Sequence, residues 1–143
     1  MNRKTQRAVL RLVSRLPGAY SLLAFVVAHR VSVWGKSMEP ALHSGEALLF
    51  DRLAYIRSGP RPGDIVLIEE PGRKGLRMVK RITALPGEIS VDDLVLKPGE
   101  YWVEGDNANE STDSRTFGPV RRENLRGRAW IRYWPVERWK LLD

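Results

Sequence analysis

The stretch RMVKRITALPGEISV, residues 77–91, indicates the fold class of this chain. Its first eight residues form a β-rich run, and Pro86-Gly87 then marks a turn. Similar short runs lie at residues 47–51, 64–69, 88–91, 101–104 and 128–134, mostly separated by Pro and Gly. Strands of about four to eight residues at this spacing predict a mainly β domain.

Composition places the chain among compact globular proteins. Its 143 residues are 43% apolar and 29% charged, which excludes a disordered chain or a coiled coil. It contains no cysteine, so disulfide scaffolds, zinc fingers and cysteine-nucleophile enzymes are ruled out. One compact domain is the expectation at this length.

The excess positive charge is concentrated at the N-terminus. Residues 1–36 contain seven Lys and Arg and no acid, whereas the other 107 residues contain 17 basic and 17 acidic side chains. The net charge of +7 therefore belongs to the N-terminal arm, which predicts a partner with an anionic surface. Because the rest of the chain is neutral and an apolar stretch follows the basic residues, we expect a membrane and no nucleic acid.

An uncharged stretch, LPGAYSLLAFVVA at residues 16–28, follows the basic residues. Counted on to Trp34, it reaches 19 residues, marginally enough for a membrane-spanning helix. The basic residues ahead of it predict a single-pass protein with a cytoplasmic N-terminus and an extracytoplasmic domain. A helix lying in the interface, with a peripheral or cytoplasmic protein, and a cleaved signal peptide are the alternatives. We therefore expect an N-terminal apolar helix in residues 1–33 and a globular domain in residues 34–143.

Ser37 is a candidate nucleophile because of the turn in which it lies, Gly35-Lys36-Ser37-Met38-Glu39-Pro40. Glycine allows a positive φ, and proline forces the residue before it to be extended, so the serine is held on a constrained turn. An ordinary turn serine is the alternative. A nucleophilic serine needs a base, and His43, six residues on, has no evident carboxylate to orient it.

Lys80 is the other candidate base. Strand alternation puts Met78, Lys80 and Ile82 on one face of the run at residues 77–84, and this apolar face favours the interior. A lysine between apolar neighbours is partly desolvated, which lowers its pKa from about 10.4. The alternative is a lysine that snorkels at a sheet edge.

The polar segment Gly105–Arg115 contains a third group of candidates. It does not fit the spacing of an EF-hand, and we expect no metal and no cofactor. Asp113 and Arg115 are spaced to share a face and form an ion pair if the segment is extended, and Ser111 shares that face. There its hydroxyl can bond a nearby amine. The alternative is an Asx-rich surface turn.

Four segments in order resemble the successive boxes of bacterial type I signal peptidases: Ser37–Pro40, Gly63–Val66, Lys80–Glu88 and Gly105–Arg115. The resemblance implies a serine–lysine endopeptidase with a compact antiparallel β-sheet domain, tethered by an N-terminal membrane segment. Its substrates are preproteins with small residues near the cleavage site, from which it removes a signal or leader peptide.

The resemblance also implies a role for each candidate residue. Ser37 is the nucleophile and its backbone N–H is an oxyanion donor, while Lys80 is the general base. Met38 binds substrate. Ser111 orients the lysine, and Asp113 with Arg115 braces the site.

The chain departs from many bacterial members of that family. They carry a serine as a second oxyanion donor where this chain has Gly35. Only 24 residues separate Lys80 from Gly105, so the large inserted subdomain is absent, as in the compact branch that includes mitochondrial inner-membrane proteases. The run Ser111–Val120 also resembles maturation proteases of nickel superoxide dismutase precursors. A catalytically inactive membrane-attached β module is the non-enzyme alternative.

The C-terminal run Trp130–Trp139 mixes aromatic residues with arginine. It predicts either a closing strand or a patch at a membrane–water interface, where Trp and Tyr are favoured.

Overall fold

The computed structural model describes residues 18–142, so the predicted contacts of the basic residues before position 18 lie outside the described residues. One mainly antiparallel β-sheet forms the body, which confirms the predicted fold class. The helices are α1 (Ala19–Val27), α2 (Ala54–Arg57) and α3 (Ser114–Phe117). The strands are β1 (His29–Ser32), β2 (Ala47–Asp51), β3 (Ile65–Glu69), β4 (Arg77–Ala84), β5 (Glu100–Glu104), β6 (Val120–Arg121), β7 (Leu125–Trp134) and β8 (Lys140–Leu141).

The strands are ordered β1-β2-β7-β3-β4-β5-β6, and β8 pairs with β7. Strand β3 lies in the middle of this order, where both of its faces are covered. Leu67 belongs to one buried cluster, with Met38, Leu42 and Phe50 among its members. Val66 and Ile68 belong to another, with Ile82 and Val103. Successive side chains of β3 point to opposite faces of the sheet, so this one strand contributes to both clusters. A continuous apolar run is the sequence pattern expected of a strand that is buried on both faces.

Helix α1 is short and packs against the sheet. Ala24 is fully buried, and the Tyr20 hydroxyl donates a hydrogen bond to Asp51 at the end of β2. The helix ends at Val27, and residues 29–32 pair as a strand with residues 47–50 of β2. The helix considered for residues 16–34 is therefore wrong in its second half, because those backbone groups form ladder hydrogen bonds. The sheet accordingly begins at His29, ahead of the domain boundary predicted after residue 33.

Within residues 18–142, no helix has both the length and the apolar character needed to cross a membrane. The run at residues 88–91 also differs from its prediction, since it contributes one isolated bridge, Ile89 to Val95, rather than a strand. Residues 85–99 thus connect β4 to β5 as a small irregular hairpin, with no inserted domain.

Candidate active site

Ser37 lies in the connection between β1 and β2, on a turn fixed from both sides. Gly35 has a φ of 79°, a conformation that favours glycine. After the serine, Met38 is almost fully buried, and its carbonyl accepts a 2.9 Å hydrogen bond from the N–H of Leu42. The packing of Met38 in the core therefore holds the neighbouring serine, which is itself half-buried, in place.

Lys80 lies in β4 opposite Val66 of β3, and only 4% of its surface is exposed. The face predicted to point inward does so, because Ile82 is fully buried and Met78 packs against the same cluster. Burial lowers the pKa of the Lys80 ammonium, the nearby Asp113 carboxylate raises it, and Arg115 lowers it again. The net direction is downward, toward a neutral amine.

Asp113 is the centre of a dense hydrogen-bond network. Its carboxylate accepts from the Ser111 hydroxyl at 2.6 Å and from the N–H of Gly105 at 2.9 Å. Arg115 donates through Nε at 2.9 Å, through Nη2 at 2.6 Å and through its backbone N–H. Burial by itself would raise the pKa of Asp113, but the hydrogen bonds from Arg115, Ser111 and Gly105 lower it to about 2.

The ion pair between Asp113 and Arg115 forms, but not in the extended geometry that the sequence predicts. Asp113 is the N-cap of α3, and Arg115 lies inside that helix. The cap explains why the two side chains meet, because it turns the chain so that both the N–H and the guanidinium of Arg115 reach the same carboxylate. Ser111 likewise donates to this carboxylate, and its oxygen still has lone pairs to accept a bond from an amine.

Gly105 lies where the polar segment passes close to the serine turn. A Cβ atom at this position would lie 2.2 Å from Ser111 Oγ and 2.5 Å from the carbonyl oxygen of Ser37. Both distances are far below van der Waals contact, so only glycine fits. The requirement is one of space, since the adjacent chain segments occupy the volume that a side chain would need.

Ser37 and Lys80 line the same groove, which has a volume of about 510 Å³. Met38 and residues of β1 and β4 also line it. Among the described residues, no hydrogen bond joins Ser37 Oγ to Lys80 Nζ. Such contacts are often loose before substrate binds, so the shared groove is the informative observation.

Two further features were not anticipated from the sequence. Arg81 makes a two-pronged ion pair with Asp106, at 2.8 and 2.7 Å, and donates to the carbonyl of Gly63. The signal was present, since Arg81 and Asp106 directly follow Lys80 and Gly105. His43 does have a carboxylate beside it, contrary to expectation, because Glu39 Oε1 lies 3.6 Å from its Nδ1. Neither Arg81 nor His43 lines the groove that Ser37 and Lys80 share.

Comparison with known proteins is consistent with this arrangement. Residues 6–96 and 88–134 match the family described as "Signal peptidase, peptidase S26". Mitochondrial inner membrane protease subunit 1 of Xenopus tropicalis is 37% identical over 112 residues, which cover 72% of this chain and 67% of that protein. The same subunit from Homo sapiens is 31% identical over 147 residues, covering 91% and 88%.

The chain belongs to the peptidase S26 signal peptidase family. A further relative is "Probable signal peptidase I-1" of Synechocystis sp., 29% identical over 151 residues that cover 82% of this chain and 77% of that protein. Membership makes this peptidase a serine-type endopeptidase of the signal peptidase I type, and the mainly β domain is the one its family uses. The predicted family, fold class and enzyme class are therefore confirmed.

Proposed function

We propose that this peptidase removes N-terminal signal or leader peptides from preproteins, with Ser37 as the nucleophile and Lys80 as the general base. The observation that carries the proposal is the burial of Lys80 in the groove that Ser37 also lines. Because burial lowers the pKa of Lys80, its amine loses its proton at lower pH than a solvated lysine does and is the better general base.

Besides the substrate, the chemistry then needs only groups of this chain and one water molecule. Neutral Lys80 takes the proton of the Ser37 hydroxyl while Oγ attacks the scissile carbonyl, and the Ser37 N–H stabilises the oxyanion. The resulting ammonium protonates the departing amine, which leaves an acyl ester on Ser37. Water, deprotonated by Lys80, hydrolyses that ester and restores both side chains.

The supporting residues have positioning roles in this proposal. Ser111 is held at 2.6 Å from Asp113, and its free lone pair is offered to the lysine. Asp113 is in turn fixed by Arg115 and by the N–H of Gly105. The negative charge of Asp113 is offset by the ion pair with Arg115. Asp113 forms no ion pair with Lys80, so the lysine can stay neutral.

The groove suits an extended peptide. Strand β1 is at one end of the strand order, and residues 30–34 line the groove. An edge strand offers backbone N–H and C=O groups to a further strand, which is a common mode of peptide binding. Met38, Leu67 and Val79 give the same groove an apolar floor, suited to small apolar side chains of the substrate.

The decisive experiment incubates the full chain with a precursor carrying a small-x-small site and sequences the new N-terminus. We expect one cut directly after the second small residue. A precursor with Arg at both small positions is the matched control and should stay intact. Cleavage of both precursors, or of neither, contradicts the proposal.

The natural substrate separates two versions of this function. The resemblance of residues 111–120 to nickel superoxide dismutase maturation proteases makes a soluble precursor of that metalloenzyme the competing candidate. The two are distinguished by kcat/KM on the two leader sequences, each presented as a fusion to the same carrier. A preference of more than about tenfold for the superoxide dismutase leader would favour the dedicated protease.

We further propose that the basic N-terminus attaches the protein to a membrane, as expected for relatives named as inner membrane proteases. Each basic residue near an anionic surface contributes roughly 1 kcal/mol. Attachment through charge alone should be reversed by high salt, whereas a spanning segment should resist both salt and alkaline carbonate. Recovery of the full chain wholly in the soluble fraction at low salt would contradict attachment.

A further inference from the structure

A second cavity lies on the face of β4 opposite Lys80. Its volume is about 380 Å³, and it shares no lining residue with the catalytic groove. Its lining includes four cationic side chains, Arg81, Arg132, Arg138 and Lys140. We call it the basic cavity.

The carboxylates near the basic cavity do not neutralise it. Arg138 and Arg132 both pair with the buried Glu46, at 2.6 and 3.5 Å, so two guanidinium groups share one carboxylate. Arg81 is paired with Asp106. Within residues 18–142, Lys140 has no ion-pair partner. Counted over the lining side chains and their ion-pair partners within residues 18–142, four cations face two carboxylates, and this excess of two positive charges favours an anion.

The cavity is also held rigid around Arg132. Only 9% of this side chain is exposed, and its Nε donates to the carbonyl of Arg138 at 2.7 Å. Its Nη1 donates to the carbonyl of Ala41. A guanidinium fixed in this way loses little conformational entropy when an anion binds, and its Nη2, which donates in none of these bonds, is the group left to reach a phosphate oxygen.

The surroundings favour one source of phosphate over another. Leu141 lines the cavity itself and is 49% exposed, and Trp139, which lies between the lining residues Arg138 and Lys140 in the chain, is 58% exposed. Val136 and Trp134, a few residues earlier, are 65% and 55% exposed. A soluble phosphate needs no apolar neighbours, whereas a phospholipid carries its phosphate directly above its acyl chains. Tryptophan is favoured at that boundary.

We propose that the basic cavity binds the phosphate group of an acidic phospholipid, with Trp139 and Leu141 against the acyl boundary. This site is independent of the N-terminal arm and of the catalytic residues. It gives the folded domain its own contact with the membrane and accounts for apolar side chains beside a charged cavity.

The test uses the full chain labelled with ¹⁵N and a short-chain lipid, dihexanoyl phosphatidylglycerol, kept below its micelle concentration. Binding is followed by the indole N–H resonance of Trp139, assigned by its loss in Trp139→Phe. We expect a saturable shift, and about fivefold weaker binding in Lys140→Gln, which removes one exposed cation. Because Lys140 is exposed, this variant should fold normally.

Lys74→Gln is the matched control. Lys74 is an exposed lysine in the turn between β3 and β4, whereas Arg81 lies at the opposite end of that hairpin. The Lys74→Gln variant loses the same charge as Lys140→Gln, and it should bind phosphatidylglycerol as tightly as the parent protein does. Equal weakening in both variants would show diffuse attraction only, and would overturn the proposal.

Two further ligands distinguish the source of the anion. Dihexanoyl phosphatidylcholine has no net charge and should bind at least about fivefold more weakly than phosphatidylglycerol. Inorganic phosphate should compete only at much higher concentration. Equal binding of phosphatidylcholine, equal affinity for inorganic phosphate, or no shift with phosphatidylglycerol would each overturn the proposal. None of these measurements involves peptide cleavage, so their failure would leave the proposed function untouched.

Discussion

The backbone N–H of Asn107 donates a 2.9 Å hydrogen bond to the carbonyl oxygen of Ser37. This bond joins the serine turn to the polar segment that also contains Asp113. Two residues before Asn107, Gly105 donates its own N–H to Asp113. A single short stretch of backbone therefore connects the proposed nucleophile to the acidic network.

Gly105→Ala is expected to lower kcat/KM at least about 100-fold, because a Cβ atom would push Ser37 and Ser111 out of position. The free energy of unfolding should fall by about 1–3 kcal/mol. Gly59→Ala is the matched control, since nothing lies within 4 Å of a Cβ atom there. Peptide cleavage and urea unfolding measure the two effects. Normal turnover in Gly105→Ala would show that the close contact has no bearing on catalysis.

Ser37→Ala and Lys80→Met should each reduce peptide cleavage by at least about 1,000-fold while leaving the fold intact. The double variant should be no worse than either single one, because the two residues act as a unit. Methionine replaces the buried lysine with an apolar side chain of similar length, so the melting temperature should not fall. Lys74→Met, at an exposed position, controls for the loss of charge. Retained cleavage in Ser37→Ala would eliminate the proposed mechanism.

The pH profile of kcat/KM should rise as Lys80 loses its proton, with a midpoint below the ordinary lysine pKa of about 10.4. Burial lowers the pKa of Lys80, while Asp113 raises it. Removing that negative charge in Asp113→Asn should therefore move the rising limb of the residual activity to lower pH. A limb that disappears in His43→Ala would instead identify histidine as the base.

Substitutions of Asp113 and of Ser111 should have different effects on the stability of the protein. The pKa of Asp113 is lowered to about 2, so its carboxylate contributes stability above the unfolded pKa of about 3.9, and this is lost as pH falls through about 2. Asp113→Asn should lower the free energy of unfolding by about 2 kcal/mol at neutral pH, and it should lower kcat/KM as well.

Ser111→Ala removes one hydrogen bond from the Asp113 carboxylate but leaves those from Gly105 and Arg115, so the melting temperature should fall less than in Asp113→Asn. Its kcat/KM should nonetheless fall at least about tenfold, because the lysine loses its orienting partner. Ser44→Ala, at an exposed turn position, is the control. Unchanged turnover in Ser111→Ala would remove Ser111 from the site.

The sequence predicted most reliably what depends on local alternation. Lys80 follows Met78 and precedes Ile82 at strand spacing, and that face is indeed buried. Strand β1 was missed because no turn signal separates its four residues from the apolar stretch at residues 16–28, and only pairing with residues 47–50 makes them a strand. Strands β6 and β8 contain two residues each, too few for a period to be seen.

The site was predicted in its residue types but not in its geometry. The spacing of Asp113 and Arg115 indicated their ion pair, but the helix cap that creates it depends on the fold of the whole segment. The space requirement at Gly105 has no signal of its own, because the Ser37 carbonyl that demands it lies 68 positions earlier in the chain. The shared carboxylate of Arg132 and Arg138 is likewise a long-range contact, with Glu46 supplied by the turn before β2.

Lys80 and Arg81 are neighbours in β4, yet they face opposite sides of the sheet, one in the catalytic groove and the other in the basic cavity. A slip of one residue in the register between β3 and β4 would exchange them, and would place a permanently charged guanidinium where the base belongs. The turn at residues 70–76 sets that register. Its length should therefore tolerate change far less than its exposed side chains do, so that an insertion there inactivates the enzyme where substitutions do not.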